Sequence, residues 1–187
     1  VAKSKSGKVA VAMVNFLANG ESDWNRENDF GENGIVVRES TDGGLSFAEP
    51  VDVTQYGNEM NSTFRWVWLL GLSAMYVGED LHLTWVESLL NDIHDYPHES
   101  IRIIHWSPGV NDGIPTIAAR WDSLHFAYWE GDPQIAPLDF PKIGADENGV
   151  LTIAFCSFPP DTTVKDSATG YLYADIFAVS SADNGLS

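Results

Sequence analysis

Apolar and polar residues alternate along most of this chain in short runs, and helical periods are hard to find. The runs are rich in β-branched and aromatic residues, and Gly, Asp, Asn or Pro bounds them. This pattern predicts an all-β chain whose neighbouring strands are joined by hairpin turns. The predicted strands are Val9–Phe16, Ile35–Arg38, Leu81–Glu87, Ile101–Trp106, Leu124–Trp129 and Leu151–Cys156.

The predicted strands recur at a nearly constant interval. Runs that begin at Val9, Leu81 and Leu151 are 72 and 70 residues apart. This recurrence predicts three four-stranded antiparallel units in a stacked or radial arrangement. One domain, 1–187, then contains units at roughly 1–72, 73–140 and 141–187. Segment 114–131 also resembles an opening hairpin; we expect an extra hairpin inside the second unit, and an abbreviated unit is the alternative.

One turn has an unusual composition. Residues Ser40 to Phe47 read STDGGLSF and lie between two apolar runs. The Asp42 carboxylate can accept hydrogen bonds from backbone amides of its own turn, and Gly44 can supply a positive φ. Phe47 can pack beneath the turn as a mostly buried anchor. The stretch is therefore predicted to be a structural element and not a catalytic one.

The same stretch resembles the Asp box, Ser-x-Asp-x-Gly-x-x-aromatic, of sialidase-like β-propellers, which are also called BNR repeats. Residues 181–187, SADNGLS, resemble a second box in phase with the strand repeat, and residues 107–113, SPGVNDG, occupy the middle position in degraded form. The resemblance implies that each box joins the third and fourth strands of a blade. It also implies a propeller of about six blades, whose remainder comes from missing chain or another copy. The box residues are Ser40, Asp42, Gly44, Phe47, Ser181, Asp183 and Gly185.

The resemblance also implies where catalytic groups of an active sialidase would fall. Segment 19–33 matches the loop that carries the acid/base aspartate, with Asp29 as the first candidate and Asp23 as the second. Active sialidases also bind the substrate carboxylate with three arginines, whose planar charged groups match it. The Phe/Tyr-Arg-Ile-Pro motif that supplies the first arginine does not occur here. The candidate binding residues are Arg38, Arg65, Arg102 and Arg120, with Arg26 as a fifth arginine, and none is assigned to the triad.

Two further groups of residues could carry chemistry. Tyr128 and Glu130 would share a strand face as a nucleophile and its helper, although an ordinary strand with one solvated face is the favoured alternative. The loop DIHDYPHE, 92–99, could bind a metal through its His and acidic residues, but Pro97 opposes the helix that such spacing needs. Its residues are Asp92, His94, Asp95, His98 and Glu99. No cofactor is predicted, and calcium at carboxylates within 21–32 stays open.

Composition limits the range of partners. The chain has 27 acidic and 10 basic residues, and its net charge of -17 argues against binding to nucleic acid or to an anionic membrane surface. No apolar run reaches the roughly 18 residues that a membrane span needs, so none is predicted. Cys156 lies alone in an apolar run, which predicts a buried small hydrophobe.

These observations lead to two main hypotheses about function, and a purely structural module in a surface assembly stays open as a third. The first is a non-catalytic or incomplete Asp-box propeller that binds a carbohydrate or protein ligand. The alternative is the N-terminal part of a secreted exo-sialidase or a related glycoside hydrolase. The missing arginine motif favours the first, and whether the chain is an enzyme stays open. The resemblance implies a location outside the cytoplasm: secreted, periplasmic or at the cell surface.

Overall fold

The computed structural model describes residues 1–16, 33–54, 65–67, 71–89, 101–122, 124–127 and 137–187. Within these ranges the chain is all-β, as the alternation predicts. Twelve strands form three antiparallel sheets, and the only helical element among the described residues is a single 3-10 turn. Five of the six predicted strands are present, each starting within two residues of its predicted start.

The first sheet is a meander in chain order. Its strands are β1 (Ala2–Lys3), β2 (Val9–Phe16), β3 (Asn33–Ser40) and β4 (Val51–Asp52). Val9 at the start of β2 pairs with Ser40 at the end of β3. The tight turn between β1 and β2 therefore lies at the same end of the sheet as the turn that follows Ser40.

The second sheet has an interrupted first strand. Its strands are β5 (Arg65–Val67), β6 (Ser73–Val77), β7 (Asp80–Leu89), β8 (Arg102–Trp106) and β9 (Thr116–Arg120). Both β5 and β6 pair with β7, on the edge that β8 does not occupy. Between them Gly71 lies against β7, where an added Cβ would meet the Val86 side chain at 3.0 Å. A glycine is needed there because the backbone crosses so close to the neighbouring strand.

The third sheet contains β10 (Leu138–Ala145), β11 (Leu151–Ser157) and β12 (Asp175–Ser181) in chain order. Strand β10 was absent from the predicted set because Asp139 and Pro141 interrupt its apolar pattern. A bulge between Asp139 and Lys142 absorbs this interruption, and Phe140 within it has a φ of 52°. Beyond the bulge the pairing with β11 is regular.

The predicted strand Leu124–Trp129 is wrong in its described part. Leu124 and His125 form a turn. The Asp122 carboxylate accepts a hydrogen bond from the Leu124 amide at 2.8 Å, and the Asp122 backbone carbonyl accepts one from the Phe126 amide at 2.8 Å. Ala127 makes one isolated bridge to Phe158. The expected extra hairpin is also wrong, because β9 pairs with β8 as the last strand of the second sheet.

Two hydrophobic clusters hold the sheets together. One lies between the first and second sheets and the other between the second and third. The buried residues of the first cluster are Ala2, Ala10, Ile35, Val37, Val53, Leu81, Leu83, Trp85, Ile104 and Trp106. Those of the second are Val86, Ile101, Ile103, Leu138, Ile153 and Phe155. The second sheet is thus apolar on both faces, and successive residues of β7 pack against opposite neighbours.

The sheets lie with their first strands side by side and with corresponding ends together. Strand β1 packs near β6, and β10 packs along β6 and β7. At one end the Ser6 hydroxyl donates to Glu79 at 2.5 Å, which joins the first turn of the first sheet to the first turn of the second. We call this the box end, since it carries the turns after Ser40, Trp106 and Ser181. The opposite end, where second strands lead to third strands, is the loop end.

At the box end the third sheet contacts the second through one glycine. The Thr116 hydroxyl donates to the Gly185 carbonyl at 2.8 Å. A Cβ on Gly185 would lie 2.3 Å from the His105 ring, so this position has no space for a side chain. The corresponding Gly44 in the first sheet has nothing within 4 Å of its would-be Cβ.

Replacing each of these two glycines with alanine distinguishes the stability that comes from the contact between sheets from the stability that comes from the turn itself. Their φ angles are similar, 99° at Gly44 and 88° at Gly185, so each substitution should cost about 1–2 kcal/mol of backbone strain. Gly185→Ala should cost about 1–3 kcal/mol more, because the methyl group overlaps His105. Urea unfolding followed by circular dichroism measures both losses. Equal losses for the two variants would show that the contact at His105 does not contribute to stability.

Candidate functional site

The first Asp box is closed by its own side chains. The Ser40 hydroxyl donates to Asp42 Oδ1 at 2.6 Å and accepts from the Gly44 amide at 2.8 Å. The same carboxylate oxygen accepts from the amides of Leu45 and Ser46, each at 2.9 Å. Hydrogen bonds from the Ser40 and Ser46 hydroxyls and the turn amides hold the pKa of Asp42 well below its usual range. The prediction that Asp42 caps its own turn is confirmed, and Phe47 is partly buried.

The second box repeats this arrangement. Ser181 donates to Asp183 at 2.5 Å, and Asp183 accepts from the amides of Leu186 and Ser187 at 3.1 and 3.0 Å. In the turn that follows β8 of the second sheet, the residue two positions after Ser107 is Gly109, so no carboxylate is available there. The buried Ser107 hydroxyl accordingly has no hydrogen-bond partner among the described atoms. One missing aspartate therefore accounts for the degraded middle turn.

Arg38, a predicted binding residue, is bound to the box. Its Nε donates to the Ala48 carbonyl at 2.8 Å, and its Nη2 donates to the Phe47 carbonyl at 3.4 Å. These carbonyls belong to the last residue of the box and the residue after it, so the guanidinium fixes the backbone where the chain leaves the box. Arg38 is thus at the box end, engaged with backbone acceptors.

Arg102 and Arg120 lie together at the loop end of the second sheet. The register pairs Glu87 with Arg102 and Arg102 with Arg120, so the three side chains share one row on the face that packs on the first sheet. Arg102 donates from Nε and Nη2 to Glu87 Oε1 at 2.6 and 2.5 Å. Trp85 Nε1 donates to the other Glu87 oxygen at 3.4 Å. Glu87 is only 3% exposed, and Arg120 is exposed to solvent.

Several predicted residues lie outside the described residues. They are Asp23, Asp29, Arg26, Tyr128, Glu130, Asp92, His94, Asp95, His98 and Glu99. Arg65 begins β5 at the loop end, and its side chain is outside the described part. The acid/base, nucleophile and loop-metal hypotheses therefore stay predictions. Arg65, Arg102 and Arg120 thus all lie at the loop end of the second sheet, and Arg38 lies at the box end.

A buried histidine pair escaped the sequence analysis. His82 Nδ1 and His105 Nε2 are 3.0 Å apart, and the rings stack with centroids 5.3 Å apart. Burial lowers the pKa of both residues; for His105, where the neighbouring His82 adds to the effect, it falls to about 4. One ring donates and the other accepts, so both can be neutral and satisfied. The sequence does place the two histidines on adjacent predicted strands. Periodicity alone does not give the register between those strands, so it could not show that the two rings meet.

Asp139 is a second titratable group that the sequence analysis missed. It lies at the loop end, at the start of β10, and is 4% exposed. Burial raises the pKa of its carboxyl, although the Phe140 amide donates to it at 2.7 Å. It directly precedes the bulge in β10. The break in the apolar pattern at Asp139 is the one sign of this position that the sequence offers.

Other predicted features have simpler outcomes. Among the described residues, no three His, Cys, Asp or Glu side chains are grouped as a metal ion requires, and the calcium-candidate segment 21–32 lies outside them. Cys156 is a free thiol of intermediate burial, less buried than predicted. No helix in the described part of the chain has the length and apolarity needed to cross a membrane.

Comparisons with known proteins do not identify a family for the chain. No family model matches the chain, and no curated protein matches it. A crystal structure of a protein of unknown function from Dyadobacter fermentans DSM 18053 is similar, with a TM-score of 0.49 and 12% identity. The match covers 99% of this chain and 50% of that one, so the chain spans half the length of its structural neighbour.

Replacing Asp42 with alanine should destabilise the first sheet. The variant leaves the Leu45 and Ser46 amides and the Ser40 hydroxyl without their shared acceptor. We expect a clearly lower urea midpoint than in the wild type. Glu49→Ala, at an exposed residue just beyond the box, is the control and should leave the midpoint unchanged. A stable Asp42→Ala variant that loses ligand binding would make the box functional.

The histidine pair should make stability depend on pH between about 7 and 4. A neutral buried histidine resists protonation, so the unfolded chain takes up protons first, and stability falls as pH drops below the unfolded pKa of 6.5. For His105, whose pKa is about 4, the loss should approach about 3 kcal/mol. Urea titrations across this pH range measure it.

A double variant, His82→Gln with His105→Gln, should flatten this part of the stability profile. His125→Gln is the control, because the His125 side chain is 71% exposed. An unchanged slope in the double variant would mean that other groups cause the acid sensitivity.

Proposed function

We propose that the chain is part of a sialidase-type Asp-box β-propeller that binds a glycan or protein ligand at its loop end and does not hydrolyse sialosides. In this proposal the three sheets are successive blades, and β1, β6 and β10 are their inner strands. Support comes from the packing: the sheets stack face to face, first strands lie together, and corresponding ends coincide. The boxes support it too, since each follows the third strand of its sheet.

The outer faces of the stack also support further blades. On the first sheet, Met13 is 43% exposed, and Val11 and Val36 lie on the same face. On the third sheet, Ile176 is 78% exposed beside Ala178 two positions further along β12. Within the proposal, blades from missing chain or from another copy cover these faces. The extracytoplasmic location is part of the same proposal and rests on the resemblance alone.

The observation that carries the non-catalytic assignment is that two arginines are held by groups of the protein itself. Arg38 binds backbone carbonyls at the box end, and Arg102 is bound to buried Glu87 at the loop end. A carboxylate clamp needs guanidinium groups that converge on one site and are available to the substrate. The net charge of -17 opposes an anionic substrate as well.

The alternative, part of an exo-sialidase, has one observation in its favour. Arg102 and Arg120 are cross-strand neighbours at the loop end, and Arg65 begins β5 at the same end of the sheet. Arg120 is exposed and could contact an anion, whereas its neighbour Arg102 is held by Glu87. A direct activity measurement separates the two hypotheses.

The purified chain should not release the fluorophore from a fluorogenic sialoside. We expect the rate to equal that of buffer, and that of an Arg120→Ala variant to be the same. Turnover by the wild type that falls at least tenfold in Arg120→Ala would establish the sialidase alternative. Because Arg120 is exposed, this substitution should leave the fold intact.

Binding is measured separately by amide shift mapping with ¹⁵N-labelled protein and pools of neutral oligosaccharides and of peptides. The proposal expects shifts at the loop end, around residues 101–102, 120–122, 137–139 and 158–174. The box-end amides of residues 42–46 should not move. Shifts confined to the box end would contradict a loop-end binding surface.

A further inference from the structure

The connection between β11 and β12 carries a small hairpin at the loop end. Lys165 and Leu172 form an isolated antiparallel bridge. The Asp166 amide donates to the Tyr171 carbonyl at 2.8 Å, and the Gly170 amide donates to the Asp166 carbonyl at 2.8 Å. Segment 164–173, which we call the tyrosine hairpin, is thus a closed two-stranded turn outside the three sheets.

The tyrosine hairpin presents both of its tyrosine rings to solvent on one face. Its register places Val164 opposite Tyr173, and Asp166 opposite Tyr171, on one side. The exposed fractions are 51% for Val164, 55% for Tyr171 and 52% for Tyr173. Leu172, on the other side, is partly buried. Two tyrosine rings separated by one residue are therefore displayed side by side.

The hairpin is fixed by local hydrogen bonds. Asp166 Oδ1 accepts from the Ala168 and Thr169 amides at 3.0 and 2.7 Å, and from the Thr169 hydroxyl at 2.8 Å. The Tyr173 hydroxyl donates to Asp166 Oδ2 at 3.4 Å. The rings are therefore carried on a hydrogen-bonded turn, which lowers the entropy cost of binding a ligand there.

Acidic residues lie within the tyrosine hairpin and shortly before and after it in the chain. Asp161 and Asp166 accept hydrogen bonds from nearby threonines and amides, which hold the pKa of both carboxyls below the usual range, so they are charged at neutral pH. Asp175 follows the hairpin, and Lys165 is on the opposite side from the rings. The whole chain adds a net charge of -17. This field repels anions and attracts cations.

We propose that the tyrosine hairpin binds an arginine or lysine side chain from a basic segment of a partner protein. The cation would lie over the ring of Tyr171 or Tyr173, with the Asp166 and Asp161 carboxylates balancing its charge. This inference rests on the proposed function, a loop end that binds a ligand, and it selects the ligand class. Exposed tyrosine rings on an ordered turn are typical anchors of protein interfaces.

The test uses the whole ¹⁵N-labelled chain and two capped pentapeptides, Arg-Gly-Arg-Gly-Arg and its neutral match Gln-Gly-Gln-Gly-Gln, at 150 mM NaCl. The arginine peptide should shift the amides of residues 164–173, and the glutamine peptide should not. The double variant Tyr171→Ala with Tyr173→Ala should bind the arginine peptide with at least fivefold lower affinity. Ile114→Ala, an equally exposed apolar residue near the box end, is the control and should leave the affinity unchanged.

A third probe, maltopentaose, tests a neutral glycan at the same surface. Shifts of 164–173 with maltopentaose and not with the arginine peptide would overturn the inference. So would arginine-peptide shifts scattered over the acidic surface and unaffected by the tyrosine substitutions. Peptide shifts confined to residues 101–102, 120–122 and 137–139 would reject the hairpin and keep the loop end as the binding surface. Shifts confined to the box end would reject both.

Discussion

The burial of the second sheet on both of its faces is the constraint on which the rest of the structure depends. Strand β7 is buried at every position from Leu81 to Ser88, which is unusual for an antiparallel strand. Its apolar residues fill both hydrophobic clusters. Its polar residues have no route to water, so each needs a partner inside the protein. The histidine pair and the Glu87–Arg102 ion pair meet this requirement, and the Ser88 hydroxyl is an exception, with no hydrogen-bond partner among the described atoms.

This constraint explains which parts of the structure could be predicted from sequence. Strands with one polar face, such as β11, alternate cleanly and were predicted within a residue. The box was predicted in detail because the hydrogen bonds that Ser40 and Asp42 make within the turn are local, between residues at most four apart. Local chemistry of this kind is written directly in the sequence.

The errors have the opposite character. The predicted strand that begins at Leu124 has suitable apolar residues, but the Asp122 carboxylate captures its first amide and turns the chain. Strand β10 was missed because its pattern is broken by a bulge that only the pairing with β11 reveals. The histidine pair depends on the register between β7 and β8, and Arg38 depends on the path of the chain after the box. Such contacts are tertiary, and the local pattern of residues in a single sequence does not reveal them.

The internal pairing of the second sheet has a consequence for assembly. His82 and His105 come from adjacent strands of that sheet, as do Glu87 and Arg102, and the Thr84 hydroxyl donates to the Ile104 carbonyl at 2.8 Å. These polar groups are therefore satisfied before either neighbouring sheet arrives. Docking on each side then removes mainly hydrocarbon from water, and the two interfaces can form in either order. A chain built in this way has no obligatory sequence of folding steps along the stack, and stability can spread from whichever pair of sheets meets first.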